Sequence, residues 1–173
     1  MTKKDLVTKV FFNILKIWGC SWLAYGIAMI PCYLFSAVLG SETPEKRLFN
    51  NVFLSVVAGL VCCAFLVLFS YREAYKEAHI SQSKWFVILG ATLPAILYVL
   101  ICVIFNSAYL AIQQIQLGSY MLGVQEKFTR GTMLLASLVF CPFWSFSLYF
   151  GAFVGRQKRA KDKEELTSQH KEN

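Results

Sequence analysis

The side chains of this chain that could carry chemistry are six cysteines and two histidines. The cysteines are Cys20, Cys32, Cys62, Cys63, Cys102 and Cys141, and all of them fall inside long uncharged stretches. Thiolates suit soft metals, but the chain has no C-x-x-C pair, and adjacent Cys62 and Cys63 point about 100° apart on a helix. We therefore expect buried packing cysteines, with no bound metal and no other cofactor.

The histidines form no catalytic constellation. His79 and His170 lie in charged segments, and no Ser-His-Asp, Cys-His or metal-ligand spacing surrounds either one. No Asp, Glu, Lys, Arg or His lies in the core of an uncharged stretch, where proton relays and ion-coupled carriers normally place one. The sequence therefore predicts no catalytic residues, and it disfavours an enzyme or an ion-coupled carrier.

Three prolines, Pro31, Pro94 and Pro142, lie near the middles of uncharged stretches. Inside a helix, a proline removes a backbone donor and frees the carbonyl four residues earlier. In lipid that carbonyl needs a partner from a neighbouring helix, a hydroxyl group or water. Three midplane kinks at one depth would open a central cavity; the alternative is that the prolines only shape helix packing.

A stripe of small residues, Ser147, Gly151 and Gly155, runs along one face of the last uncharged stretch. Small residues four apart let helix backbones approach closely, either inside one bundle or between two copies. Aromatic side chains within 143–153 surround this helix-packing stripe. They predict either contact with lipid or a groove for an apolar ligand.

An uncharged polar patch is the third candidate site. It comprises Asn50, Asn51, Asn106, Gln113, Gln114 and Gln116. All six are expected on the outer side of the membrane. There they would recognise a neutral head group or a partner, or only solvate helix ends.

Four uncharged stretches position these residues: 17–41, 48–71, 85–125 and 131–155. Each is at least as long as the roughly 20 apolar residues that a helix needs to cross a bilayer. The chain is 57% hydrophobic and only 16% charged, against about 25% charged in soluble domains. We predict an all-α, polytopic membrane protein, a four-helix transmembrane bundle with spans near 17–39, 50–70, 85–105 and 132–153.

The segments around this membrane domain, 17–155, have their own signals. Glutamines in the second half of the third stretch exclude a further span, so 106–130 is predicted to be an outer segment. An apolar stripe with lysines outside it predicts that 1–16 is a cytoplasmic amphipathic segment, either a helix at the membrane surface or the inner end of the first span. The charged, basic residues 156–173 predict a disordered cytoplasmic tail.

The positive charges orient the chain. Net charge is +7, and of 17 Lys and Arg residues, 13 fall on the side of the two termini and 4 on the other side. This positive-inside bias predicts N-in/C-in topology in the cell membrane. It also indicates contacts with anionic lipids of the inner leaflet, and not with nucleic acid.

The expected function is that of a small non-enzymatic integral membrane protein, an accessory or scaffold subunit of a membrane complex. Its partner would be another membrane protein or further copies of the chain. The alternative is a transporter or channel component for a neutral or lipid-like substrate, which would use the kinked midplane.

Overall fold

The chain folds into four α-helices. The structure, a computed structural model, describes residues 3–39, 44–76, 84–104 and 130–172. The helices are α1 (Lys3–Leu39), α2 (Pro44–Lys76), α3 (Lys84–Ile104) and α4 (Arg130–Glu172). The predicted all-α class is therefore confirmed.

Three of the four helices are long and apolar enough to cross a membrane. Their apolar windows are Leu6–Pro31 in α1, Val56–Lys76 in α2 and Val87–Ile104 in α3. The described part of α4 has no such window. A membrane-embedded chain is thus supported by three helices, while the fourth span and the N-in/C-in orientation remain predictions.

The helices pack around a ring in the order α1, α2, α4, α3. Helices α1 and α2 are antiparallel, because Lys16 pairs with Glu73 while Ser21, further along α1, contacts the earlier Cys62. Helices α2 and α4 are parallel, because Gly151 lies against Val67 and Gly155 against Tyr71. Along the ring, α1 and α2 therefore form one antiparallel hairpin, which lies beside a second one formed by α3 and α4.

The interior is filled mainly by small side chains, and large apolar side chains face outwards. Along α1 the buried positions recur every three or four residues: Val10, Asn13, Ile17, Cys20, Ser21, Ala24 and Ala28. Tyr98 of α3 and Trp144 of α4 fill the middle of the bundle, with their rings edge to face and 5.3 Å apart. Each helix therefore presents small residues to its neighbours and most of its large apolar side chains to the outside.

The first turns of α1 favour the second of the two interpretations of residues 1–16, the end of the first span, over a separate surface helix. From Lys3 these residues belong to the same helix as the first predicted span. The outward face carries Val7, Phe11 and Trp18, whereas Asn13 is 4% exposed. The apolar stripe exists, but it points away from the bundle because lipid is a good solvent for it and a poor one for an amide.

The C-terminal residues correct one prediction, since α4 continues as a helix to Glu172 where 156–173 were expected to be disordered. The Tyr75 hydroxyl of α2 donates a 2.7 Å hydrogen bond to a carboxylate oxygen of Asp162. Most residues of this segment, including its lysines, glutamates and Gln157, have good helix propensity. Local propensity and one tertiary contact thus outweigh the high charge density.

The helix-packing stripe on α4 lies against the backbone of α2. A Cβ atom added at Gly151 would overlap the Val67 carbonyl oxygen and lie 3.0 Å from Ser70 Cβ. One added at Gly155 would press on the Tyr71 carbonyl oxygen in the same way. Ser147 is buried as well, and its hydroxyl bonds back to the Phe143 carbonyl oxygen at 2.8 Å.

This close approach predicts opposite effects for two chemically identical substitutions. Gly151→Ala should lower the free energy of unfolding in detergent by about 1–3 kcal/mol, because the added methyl group meets fixed backbone. Gly26→Ala has nothing within 4 Å of the new methyl group. It should be neutral or stabilise α1 by up to about 1 kcal/mol. Equal thermal unfolding midpoints for both variants would contradict the observed α2–α4 packing.

Candidate functional site

The most unusual polar contact of the bundle joins α1 to α3 beside a proline. Pro94 cannot donate to the carbonyl of Gly90, four residues earlier in α3. The Asn13 side-chain amide donates to that same oxygen, at 2.8 Å, in a buried hydrogen bond. A neighbouring helix therefore supplies the donor that the proline removes, as the absence of water in lipid requires.

Two charged residues extend this contact to α2. Lys16 Nζ donates to Asn13 Oδ1 at 3.1 Å and forms an ion pair with the Glu73 carboxylate. We call Asn13, Lys16, Glu73 and Gly90 the inner polar layer. Lys16 and Glu73 both lie inside the apolar windows of their helices, although the predicted spans 17–39 and 50–70 had excluded them.

A cavity of about 20 Å³ lies beside the inner polar layer, between all four helices. Its polar walls are Lys9, Asn13, Ser70 and Glu73, and its apolar walls include Leu148 and Ala152 of α4. A buried water needs roughly 10–15 Å³ and two to four polar partners. The cavity is therefore the size of a single water and too small for an organic solute.

A second group of polar atoms lies deeper in the bundle. The Ser21 hydroxyl bonds to the Ile17 carbonyl oxygen at 2.8 Å and contacts Cys62 Sγ at 3.6 Å. The Tyr98 hydroxyl is buried near Ser21 and Cys102, without a hydrogen bond of ordinary geometry to either. These hydroxyl and thiol groups are mutual neighbours in the packed core of the described helices.

The structure separates the three midplane prolines. Pro94 is fully buried, Pro31 is partly exposed and Pro142 is exposed. Because Asn13 marks the level of Gly90 on α1, Pro31 lies 18 residues beyond that level, or about 27 Å. Pro94 lies only four residues beyond it, about 6 Å. Pro31 and Pro94 therefore lie about 21 Å apart along the bundle, which favours prolines that shape helix packing over kinks at one depth.

The outer polar patch can be placed only in part. Asn50 and Asn51 occupy the second turn of α2. Asn106, Gln113, Gln114 and Gln116 lie outside the described residues. Whether the six side chains meet stays a prediction.

The inner polar layer is what sequence reasoning missed. Asn13 lies outside the apolar stripe of the first turns, a position that is usually exposed in a soluble protein. Two signals pointed the other way: Asn13 shares a helical face with Val10, Ile17 and Ala24, and the carbonyl freed by Pro94 needs a donor.

Among the described residues, no group of three His, Cys, Asp or Glu side chains is close enough to hold a metal ion. The five cysteines whose side chains are described are free thiols. No protein-family model, no curated protein and no solved structure matches the chain. The function must therefore be inferred from the contacts inside the bundle.

The Asn13–Gly90 bond predicts a specific non-additivity between two substitutions. Asn13→Leu leaves the buried Gly90 carbonyl unpaired and should cost about 1–3 kcal/mol of unfolding free energy. Pro94→Ala gives α3 its own backbone donor for that carbonyl. In a double-mutant cycle measured by unfolding in detergent, Asn13→Leu should therefore cost clearly less in the Pro94→Ala background. Strictly additive effects would show that Asn13 does not serve the proline.

Proposed function

We propose that the chain is a four-span protein of the cell membrane, with both termini cytoplasmic, that acts as a non-enzymatic accessory or scaffold subunit of a membrane complex. The observation that carries this proposal is the packed interior. Side chains of all four helices interlock around Tyr98 and Trp144, and the cavity between the helices at the inner end has room for one water. Such an interior favours a role in binding and assembly over the transport of a solute through the bundle.

The outer surface agrees with a role in assembly inside lipid. Every described helix exposes large apolar side chains over part of its length, among them Phe12 and Trp22 of α1 and Phe146 of α4. Soluble monomers rarely expose contiguous apolar patches larger than a few hundred Å². This surface suits hydrocarbon and the helices of a membrane-protein partner, which are the two neighbours that the proposal requires.

Transport of a lipid-like substrate is the second candidate, and a groove between α3 and α4 favours it. The groove has a volume of about 310 Å³, opens to the outside and is almost entirely apolar. A carrier would have to move its helices against one another to pass a substrate. An accessory subunit can keep them fixed.

A covalent lock separates the two candidates. The Ser21 hydroxyl lies 3.6 Å from the Cys62 thiol, so Ser21→Cys places two thiols side by side across the α1–α2 contact. After oxidation, we expect the locked variant to co-purify in mild detergent with the same stoichiometric partner as the reduced protein.

The control is the double variant S21C/C62A, which carries the new thiol but cannot form this bridge. Loss of the partner only in the oxidised S21C variant would contradict a static role. So would a purified homo-oligomer that moves a neutral solute into liposomes and stops doing so when locked.

The proposed orientation has a direct test in labelling of intact cells. With the six native cysteines left in place, a cysteine added at Ser168, which is exposed near the end of α4, should react with a membrane-impermeant maleimide only after the cells are opened. Labelling of Ser168→Cys from outside the cell would overturn the cytoplasmic placement of the C terminus. The unsubstituted protein gives the background, which includes any labelling of Cys63 and Cys141, two native thiols that are only partly buried.

A further inference from the structure

The groove between α3 and α4 continues into a row of cations. Six residues line the groove: Ile88, Ala91, Thr92, Ser145, Phe146 and Tyr149. Two of its three hydroxyl-bearing side chains, one on each helix, are engaged within their own helix and offer little to a polar ligand. Thr92 donates to the Ile88 carbonyl oxygen at 2.9 Å, and Ser145 interacts with Cys141 one turn earlier. The groove therefore selects for hydrocarbon.

The depth of the groove says which hydrocarbon fills it. Its α3 wall, 88–92, lies at the start of the membrane-length apolar window Val87–Ile104. A concave, apolar surface at that depth cannot hold water at low cost. It faces the acyl chains of one leaflet close to their head groups.

The α4 wall leads from the groove to three basic residues. Counted from Ser145, positions 149, 152, 156, 159 and 163 follow at alternating steps of four and three, which keeps them on one helical face. They are Tyr149, Ala152, Arg156, Arg159 and Lys163. We call Arg156, Arg159 and Lys163 the basic row; it begins about two turns, roughly 10 Å, beyond Tyr149 and so at about the height of a head group.

One member of the basic row has an unmet hydrogen-bonding need. The Nη1 atom of Arg159 is buried and has no hydrogen-bond partner among the described residues. Arg159 lies near Tyr75 of α2, whose hydroxyl is already engaged by Asp162. A guanidinium nitrogen with a spare donor is a preferred ligand for phosphate oxygens.

We propose that the α3–α4 face binds one anionic phospholipid, with an acyl chain in the groove and its phosphate on the basic row. The apolar lining and the basic row follow one another along a single face of α4, so one amphipathic molecule can satisfy both. The proposal rests on the membrane embedding of the chain, and it is independent of which protein partner the chain assembles with.

The test compares two double variants that remove the same charge from different faces of α4. R159Q/K163Q removes two cations of the basic row, whereas K158Q/K161Q removes two exposed lysines from other faces of the same turns. Retained phospholipid is counted by native mass spectrometry of protein taken from nanodiscs that contain an anionic and a zwitterionic phospholipid of equal chain length. R159Q/K163Q should lower retention of the anionic lipid by on the order of tenfold, and K158Q/K161Q should leave it near the wild-type value.

The groove has its own pair of variants. Thr92→Phe fills the groove and should also reduce lipid retention, whereas Leu93→Phe adds similar bulk at an exposed position outside the groove lining and should not. Circular dichroism establishes that each variant keeps its helix content.

A displacement experiment on the wild-type protein tests the proposal without any substitution. A water-soluble glycerol phosphate without acyl chains should fail to displace the bound phospholipid, because the groove supplies part of the affinity. Equal losses in both charge variants would overturn the proposal in favour of general attraction to the membrane surface. Displacement by glycerol phosphate, or a co-purified transmembrane helix in place of lipid, would overturn it as well.

Discussion

Pro94 leaves the carbonyl of Gly90 without a donor of its own helix, and the inner end of the bundle is arranged around the group that replaces it. Once Asn13 must face that carbonyl, the rotation of α1 about its axis is set. Ile17, Cys20 and Ala24 then point inwards on the same face. Lys16 comes to lie between Asn13 and Glu73, so the same rotation also ties α1 to α2. The backbone donor that Pro94 lacks thus determines how α1 is oriented against α2 and α3.

The rest of the packing follows from the solvent. In lipid, transfer of a leucine from the outside to the inside gains little, so helices associate through close contact and hydrogen bonds. Gly151 and Gly155 bring the α4 backbone onto the α2 carbonyl oxygens, and alanines line the seams of α1 and α3. At the centre, where four helices leave more room, large rings such as Trp144 fill the space.

The sequence predicted what depends on composition and length. It found the helices, and it placed α3 within one residue of its observed bounds, because uncharged stretches of this length have few alternatives in lipid. It could not say which side of α1 faces inwards, since an apolar stripe marks the core in water and the exterior in a membrane. It also misjudged 156–173, where a tyrosine–aspartate contact between distant residues helps to hold a charged helix.

The candidate sites, too, could be predicted from the sequence only in part. The spacing of Ser147, Gly151 and Gly155 was readable as a packing stripe, but its neighbour, α2, was not, because spacing carries no information about partners. The sequence shows each proline, but a common depth for the three depends on the assumption that all spans begin at the same level. The staggered contacts along α1 and α3 remove that assumption.

Helix α4 is 43 residues long, which corresponds to about 65 Å, roughly twice the thickness of a bilayer's hydrocarbon core. Its last 17 residues, from Arg156 to Glu172, would extend about 25 Å beyond the glycines that seat it on α2. If α4 is the fourth span, a rod of this kind is a lever that pivots near Gly155, at the membrane surface. A change of about 10° in its tilt moves the far end by roughly 4 Å, so a small rearrangement inside the bilayer becomes a displacement that a protein in the adjoining aqueous phase can register.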